Sequence, residues 1–166
     1  MISEVPPPDL GDYFYSESKF PDFLKTTLQA FHDAGFEFSS MKDIIDAGIY
    51  LTTAVKCGKI GYTVSANVIQ TCSYILEKEI ALLPDVGAYL LMGDVAIRAF
   101  NTISHRLTGQ RAIPAGSTYK IRSQEFYYSG KRVFPSYLQT GKNYLIEKSK
   151  RKMIAEDIEA AFRILE

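Results

Sequence analysis

The sequence lacks the features that define several large classes of protein. No apolar run approaches the ~20 residues that a membrane-spanning helix requires. The first residues, MISEVPPPDLGDYFY, have neither the basic region nor the apolar region of a signal peptide. No glycine-rich phosphate loop follows a strand, since Gly58 and Gly61 are too sparse for one. We therefore expect a cytoplasmic protein without a membrane partner. The missing phosphate loop also weakens the interpretation as a nucleotide-binding α/β protein.

Cysteine and histidine are scarce. The chain contains two of each, namely Cys57, Cys72, His32 and His105. Both histidines fall on predicted helices, away from the ends of the predicted strands. The two cysteines, with 14 residues between them, are compatible with half of a metal site or with two small core residues.

Acidic residues are nearly absent from the segment 98–152. It contains twelve Lys or Arg and only two acids, whereas the rest of the chain has 7 basic and 17 acidic residues. Tyrosines are interleaved with these cations. Because phosphates pair with cations and bases stack on aromatic rings, this composition is typical of a nucleic-acid-binding surface. An ordinary solvated surface is the alternative interpretation.

The order of apolar patterns predicts an α/β fold. Helical spacing predicts helices over 21–34, 41–48, 65–83, 94–104 and 148–164. Apolar runs predict core strands at 1–5, 49–55, 86–93 and 131–137, and TYKIR and EFYYS predict a small β-hairpin around Ser123-Gln124. We therefore predict a single three-layer domain over 1–166, with a central, mainly parallel four-stranded sheet flanked by helices.

Polar side chains follow the predicted strands where each one ends. Ligands bind at the carboxyl ends of the strands in open α/β sheets. Four groups are expected on that rim: Glu4, Thr53, Gly93-Asp94 and Phe134-Pro135-Ser136.

Five segments carry a resemblance to one family. SEVPP at 3–7 is similar to Gly-Glu-Ala-Pro-Gly, YLTTAVKC at 50–57 to Tyr-Ile-Thr-Asn-Val-Val-Lys-Cys, and FPS at 134–136 to His-Pro-Ser. The helix around Cys72 and the segment LLPDVGAYLLMGDVAIRAFN complete the set. Together they resemble the uracil-DNA glycosylase superfamily, most closely its iron–sulfur-bearing family 4 branch.

The resemblance implies a DNA-repair enzyme that hydrolyses the N-glycosidic bond of a flipped deoxyuridine. Glu4 would hold the attacking water, and Phe134 and Ser136 occupy the other catalytic motif. Thr53 would read the edge of the base. Phe14, or the neighbouring Tyr13 or Tyr15, would stack on it.

The resemblance also implies how DNA would be held by a protein that we expect to be a monomer. Pro135, Ser136, Tyr137 and Leu138 would form the loop that presses into the duplex where the base has left. The phosphate contacts nearest this loop would be Lys120, Arg122, Lys131, Arg132 and Lys142.

Two departures from the family pattern concern the base-reading groups. Thr53 stands where the family commonly has Asn, and it offers a single hydroxyl. Phe134 stands where the family has a His that donates to the base, and loss of such a donor costs on the order of 10²–10³ in rate. Either a backbone N–H, Ser136 or Lys56 replaces the donor, or the lesion differs, or the activity is weak. A non-catalytic nucleic-acid-binding module that retains the glycosylase fold is the alternative function.

The iron–sulfur motif is incomplete. Four thiolates hold a [4Fe–4S] cluster, and Cys57 and Cys72 match two of the family's four. The other two lie in a Cys-x-x-Cys before the first strand, which this sequence does not contain. We therefore expect no cofactor in the chain as given, and a cluster only if a longer native chain supplies two more cysteines. Loss of the cluster is equally compatible.

Overall fold

The centre of the fold is a twisted sheet. A computed structural model describes residues 1–17, 20–58 and 63–165. The strands are β1 (Ile2–Ser3), β2 (Thr52–Thr53), β3 (Ala88–Met92), β4 (Phe126–Tyr128) and β5 (Lys131–Ser136). Their order is β2-β1-β3-β5-β4, and all neighbours are parallel except β4, which is antiparallel to β5. The predicted α/β class with a mainly parallel sheet is confirmed, with five strands instead of four.

Seven α-helices cover the sheet. They are α1 (Asp22–Asp33), α2 (Met41–Asp46), α3 (Ala66–Ala81), α4 (Asp94–Thr108), α5 (Thr118–Ile121), α6 (Lys142–Ile146) and α7 (Lys148–Leu165), counted over the described residues. A 3₁₀ turn at Leu10–Asp12 precedes α1. Two apolar clusters, one on each side of the sheet, form the core. One side packs against α3 and α4, and the other packs against α1 and α7.

The central strand β3 explains the three layers. It is an uninterrupted apolar run whose successive side chains point to opposite faces. Leu91 packs in the cluster with α3 and α4, whereas Leu90 and Met92 pack in the cluster with α1 and α7. Both sides of this strand are therefore buried, as the run predicts.

The first two strands are short, but their pairing continues past their ends. The Ala54 N–H donates to the Ser3 carbonyl at 2.8 Å, and the Val55 N–H donates to the Glu4 carbonyl at 2.9 Å. The prolines at positions 6, 7 and 8 then end the extended segment, because proline has no N–H to donate to a neighbouring strand. Glu4 is thereby fixed at the carboxyl edge of the sheet.

Local signals set the helix ends. Ser65, where the predicted helix begins, caps α3 by accepting the Val68 N–H at 3.3 Å. Helix α4 starts directly after Gly93 and ends at Gly109, which has the left-handed conformation of a helix C-cap. It therefore runs four residues beyond the predicted end at Ser104.

The predicted hairpin around Ser123-Gln124 is wrong. TYKI forms the short helix α5, and β4 pairs with β5 across the turn at Ser129-Gly130. Both turn residues have positive φ, 49° and 77°, which the right-handed twist of a tight hairpin favours. The Ser-Gly pair was the stronger turn signal.

Two features that the sequence lacks, a membrane-spanning segment and a phosphate loop, can be compared with the structure. Across the three described ranges, no helix combines the length and apolar character needed to cross a membrane. The segment with the sparse pair Gly58 and Gly61 lies partly outside the described residues, because Gly61 falls in 59–62.

Candidate active site at the carboxyl edge of the sheet

A cavity of about 440 Å³ lies where β1, β3 and β5 end. The strand ends contribute Glu4, Gly93, Asp94 and Ser136 to its lining. The segment after β5, together with α5, α6 and α7, contributes Tyr137, Leu138, Thr140, Gly141, Lys142, Asn143, Tyr144, Glu147, Lys150 and Thr118. The cavity thus has the carboxylates of Glu4 and Asp94 on the sheet side, and Lys142, Glu147 and Lys150 on the side of α6 and α7.

The Glu4 carboxylate is held at the start of α4. Its Oε1 accepts the Val95 N–H at 3.1 Å, within the first turn of that helix. The N-terminus of a helix favours negative charge, because its N–H groups have no partner within the helix. Glu4 is partly buried and lines the cavity. This side chain is therefore fixed as a hydrogen-bond acceptor facing a site large enough for a small ring.

Ser136, at the end of β5, is bound to a buried ion pair. Its Oγ donates to Asp157 Oδ2 at 2.5 Å, and Arg122 Nη2 lies 2.8 Å from Asp157 Oδ1. Burial raises the pKa of Asp157, and the hydrogen bonds from Arg122 and Ser136 oppose that shift. The single proton of the Ser136 hydroxyl is therefore used inside the protein.

The loop after β5 is anchored by a buried glutamine. Gln139 Nε2 donates to Ser3 Oγ at 2.9 Å and lies 3.5 Å from Thr27 Oγ1. Gln139 has no exposed surface. Tyr137 and Leu138 lie between Ser136 and Gln139. The loop that was predicted to press into the duplex is therefore fixed to the core at both ends. Pro135, which was predicted to belong to this loop, is itself buried within β5.

Three of the five residues predicted to act in catalysis or base binding lie outside the lining of the cavity. Phe14 is 1% exposed and packs against the ring of Phe23, with a centroid distance of 5.4 Å. Thr53 is 1% exposed, and its Oγ1 donates to the Val55 carbonyl at 2.9 Å. Phe134 is 4% exposed in the cluster with α1 and α7. The cavity therefore does not bring these side chains together with Glu4, and their roles stay predictions.

Three of the five predicted phosphate-binding cations have partners within the protein. Arg122 is the buried partner of Asp157 described above. Lys131 donates to the Pro84 carbonyl. The guanidinium of Arg132 donates to the Gln124 carbonyl at 3.3 Å and lies 4.6 Å from the centre of the Phe134 ring. These three side chains hold β4, β5 and their neighbours together.

Lys120 and Lys142 are exposed, and Lys142 lines the cavity. Lys150, which no sequence motif marked as a site residue, also lines it. Its Nζ lies 2.5 Å from the Glu147 carboxylate and 5.5 Å from the centre of the Tyr137 ring. Lys142 and Lys150 therefore border the cavity on the side of α6 and α7.

The two cysteines are not part of the cavity. Cys57 is exposed, and the buried Cys72 Sγ accepts the Lys56 N–H at 3.5 Å. Among the described residues, no group of three or more His, Cys, Asp or Glu side chains could hold a metal ion. Two thiols do not fit a four-thiolate cluster, so an iron–sulfur centre stays a prediction that depends on additional ligands.

Lys56, one candidate for the missing donor, is committed elsewhere. Its ammonium binds the Glu79 carboxylate and lies 2.7 Å from Thr52 Oγ1. Burial alone would raise the pKa of Glu79, but hydrogen bonds from Lys56, Tyr50 and Thr52 bring it below its ordinary value. Lys56 does not line the cavity.

Several residues of the site carried little sequence signal. Asp94 was expected on the rim, because it follows an apolar strand, but it was not assigned a role. Asn143 also lines the cavity, and no motif in the sequence marked it as a site residue. Asp157 lies in the middle of a charged helix, and only its distant partners, Ser136 and Arg122, distinguish it from the surface acids around it.

The fold and the cavity define a class: an α/β protein with an acid-bearing pocket at the carboxyl edge of a mainly parallel sheet. The chain belongs to the uracil DNA glycosylase superfamily, whose family model matches residues 2–160. It is also 27% identical to the type-5 uracil-DNA glycosylase of Thermus thermophilus over 119 residues. The superfamily resemblance is thus confirmed.

That match covers 70% of this chain and 51% of the Thermus thermophilus protein. The chain therefore spans about half the length of that relative. The relative carries the name of the type-5 branch, so the family 4 resemblance of the motifs stays a prediction.

Proposed function

We propose that the protein hydrolyses the N-glycosidic bond of deoxyuridine in DNA and thereby acts in base-excision repair. The observation that carries this proposal is the position of Glu4. A carboxylate held by the first turn of α4 faces a cavity of about 440 Å³. The chain's membership of the superfamily supports the substrate class.

In the proposed reaction, the bond between the sugar C1′ and the uracil N1 breaks, and a water oxygen bonds to C1′. The water releases one proton as it bonds, and the base leaves with the bonding electron pair and takes up one proton, so that the reaction balances as hydrolysis. Glu4 accepts a hydrogen bond from the attacking water and stabilises the positive charge that develops on the sugar. The target nucleotide must leave the base stack to reach this carboxylate.

Donors to the departing base come from the opposite side of the cavity. Ser136 and Lys56 already use their donor groups within the protein. The side chains of Lys142 and Asn143 line the cavity and have no side-chain partner in the described part of the chain. We assign them the stabilisation of negative charge on the base or on a neighbouring phosphate.

The wider setting is proposed on the same basis. DNA approaches from the side of α6 and α7, where Lys142 and Lys150 border the cavity. The protein acts as a cytoplasmic monomer. Any iron–sulfur cluster would require ligands beyond Cys57 and Cys72.

A non-catalytic DNA-binding module is the second candidate. Two observations favour it: Phe134, which has no hydrogen-bonding group, lies in the core, and the Thr53 hydroxyl donates to a main-chain carbonyl. Such a module would bind DNA in a salt-sensitive way and leave uracil in place.

The experiment compares wild type, Glu4→Gln and Asp94→Asn on single- and double-stranded oligonucleotides that contain one uracil. Abasic product is measured after alkaline strand cleavage. Asp94 is the matched control, because its carboxylate lines the same cavity but is exposed. We expect cleavage by wild type, a loss on the order of 10²-fold or more in Glu4→Gln, and a small change in Asp94→Asn.

The two candidates give different results. Wild-type protein that binds DNA and releases no uracil from either substrate supports the binding module. Equal rates for wild type and Glu4→Gln would remove the catalytic role of this carboxylate.

A further inference from the structure

A buried network of three side chains links α7 to the wall of the cavity. Arg122 follows α5, Asp157 lies on α7 and Ser136 ends β5. Arg122 Nε lies 3.2 Å and Ser136 Oγ 2.5 Å from the same Asp157 oxygen, Oδ2. The Asp157 side chain is 5% exposed, and Ser136 has no exposed surface.

Ser136 continues this network toward Glu4 through its main chain. Its carbonyl accepts the Gly93 N–H at 3.1 Å. Gly93 in turn lies directly against Glu4, since a Cβ placed on it would be 2.4 Å from Glu4 Oε1. An unbroken series of contacts therefore runs from the buried ion pair to the carboxylate in the cavity.

Stability alone does not account for this network. Taking two charges out of water is costly, and well-packed apolar side chains of similar volume are often at least as stabilising. A charged pair does, however, fix the direction of a hydrogen bond, which an apolar pair cannot do. Here the fixed direction is that of the Ser136 hydroxyl, which donates to Asp157 and cannot donate to a ligand at the same time.

We propose that Asp157, held by Arg122, is a positioning residue that fixes Ser136 and, through Gly93, the wall against which Glu4 is held. This inference rests on the proposed glycosylase function and assigns that site its supporting residues. Ser136 acts in the same way, as a positioning residue whose hydroxyl faces the protein.

The test is a double-mutant cycle with Asp157→Asn, Ser136→Ala and the two substitutions combined. Each protein is assayed for kcat and KM on a uracil-containing oligonucleotide, well below its melting temperature. Glu156→Gln is the matched control. Glu156 binds the same guanidinium, with its Oε2 3.0 Å from Arg122 Nη2, but its side chain is half exposed and its structural contacts do not include Ser136.

Two further variants keep the test decisive. Asp157→Asn leaves a largely buried guanidinium whose one remaining charged partner, Glu156, is half exposed. Arg122→Gln/Asp157→Asn, which removes both charges, is therefore measured in parallel. Ser136→Thr keeps a hydroxyl donor and is the rescue variant.

We expect Asp157→Asn and Ser136→Ala each to lower kcat by on the order of 10–100-fold, as misplaced catalytic groups do. KM should change little. The combined variant should be no slower than the slower single variant, because both changes break the same hydrogen bond. Ser136→Thr should recover most of the rate, and Glu156→Gln should match wild type.

The contradicting results are specific. Rate losses that multiply in the combined variant would show that Asp157 does not act through Ser136. A lower melting temperature with unchanged kcat would make the network purely structural. Either result, with an active wild type, overturns this inference and leaves the proposed function intact, whereas an inactive wild type overturns both.

Discussion

Gly93 and Glu4 lie so close together that any side chain at position 93 would displace the Glu4 side chain. A Cβ there would come within 2.4 Å of Glu4 Oε1 and within 2.8 Å of its Cγ and Cδ. Gly93 also has a φ of 103°, which side chains rarely adopt. The turn between β3 and α4 therefore combines a backbone requirement with a steric one, and the steric one concerns the carboxylate proposed to act in catalysis.

Gly93→Ala should separate these two requirements. The added methyl group must displace the Glu4 side chain, which breaks its hydrogen bond with the Val95 N–H. We expect glycosylase activity to fall by on the order of 10²-fold, with a stability loss of about 1–3 kcal/mol from the strained φ. Steady-state kinetics and thermal denaturation measure the two effects.

Gly109→Ala is the control for backbone strain. Gly109 has a φ of 75°, and a Cβ there would have no atom within 4 Å. The Gly109→Ala variant should lose a comparable free energy of unfolding and keep its glycosylase activity. Equal activity losses in the two variants would show that the contact between Gly93 and Glu4 is unimportant.

The edge of the sheet was predictable because its determinants are local. An apolar run followed by Gly93-Asp94 marks the end of a buried strand, and three prolines after Glu4 mark another. The partners of charged residues were not predictable in the same way. Arg122 reads as a surface cation in sequence, and its role depends on Asp157, 35 residues away.

The roles of aromatic residues were equally hard to predict. A phenylalanine near a strand end fits a base-stacking position and a core position equally well. The packing of α1 and α7 against the sheet decides the matter, and it buries Phe14 and Phe134 in one cluster. TYKI had strand-like composition, but the Ser129-Gly130 turn paired β4 with β5 instead.

The cap of helix α2 should make stability depend on acid pH. Asp43 accepts hydrogen bonds from the Ser39 N–H at 2.8 Å and the Ser39 hydroxyl at 2.9 Å, and from the Ser40 N–H at 2.9 Å. These bonds, with that from the Ser39 main chain the largest, lower the pKa of Asp43 to about 2. Its contribution is complete above the unfolded value of about 3.9 and is lost as pH falls through the folded value.

Asp43→Asn should therefore lower the melting temperature by a few degrees at neutral pH. The difference from wild type should narrow between pH 4 and pH 2, as measured by thermal denaturation across that range. Asp46→Asn is the control, because Asp46 makes only an exposed pair with Lys42. A difference that stays constant down to pH 2 would contradict the capping role.

Tyr144 should attach α6 to the rest of the fold. Its hydroxyl donates to Asp33 Oδ2 at 2.8 Å, and Arg151 binds both oxygens of the same carboxylate at 2.7 and 2.8 Å. Tyr144→Phe removes the hydroxyl and leaves Asp33 paired with Arg151. We expect a stability loss of about 1 kcal/mol and a higher KM for DNA, because Lys142 and Asn143 lie on this helix.

Urea denaturation and steady-state kinetics test this prediction. Tyr119→Phe is the control, since Tyr119 is 70% exposed. Should Tyr144→Phe match that control in both measurements, α6 would be held by other contacts.

Lys142 should contribute to DNA binding through contact with a phosphate. It is exposed at the edge of the cavity, whereas Arg122, Lys131 and Arg132 are engaged within the protein. Each neutralised phosphate contributes a slope of about −0.9 in a plot of log affinity against log salt for B-DNA. Lys142→Gln should therefore weaken binding to uracil-containing and undamaged duplexes equally and reduce the slope by about 1.

Fluorescence anisotropy at several salt concentrations gives both quantities, and Lys42→Gln on α2 should leave them unchanged. An unaltered slope in Lys142→Gln would place the DNA backbone elsewhere on the protein.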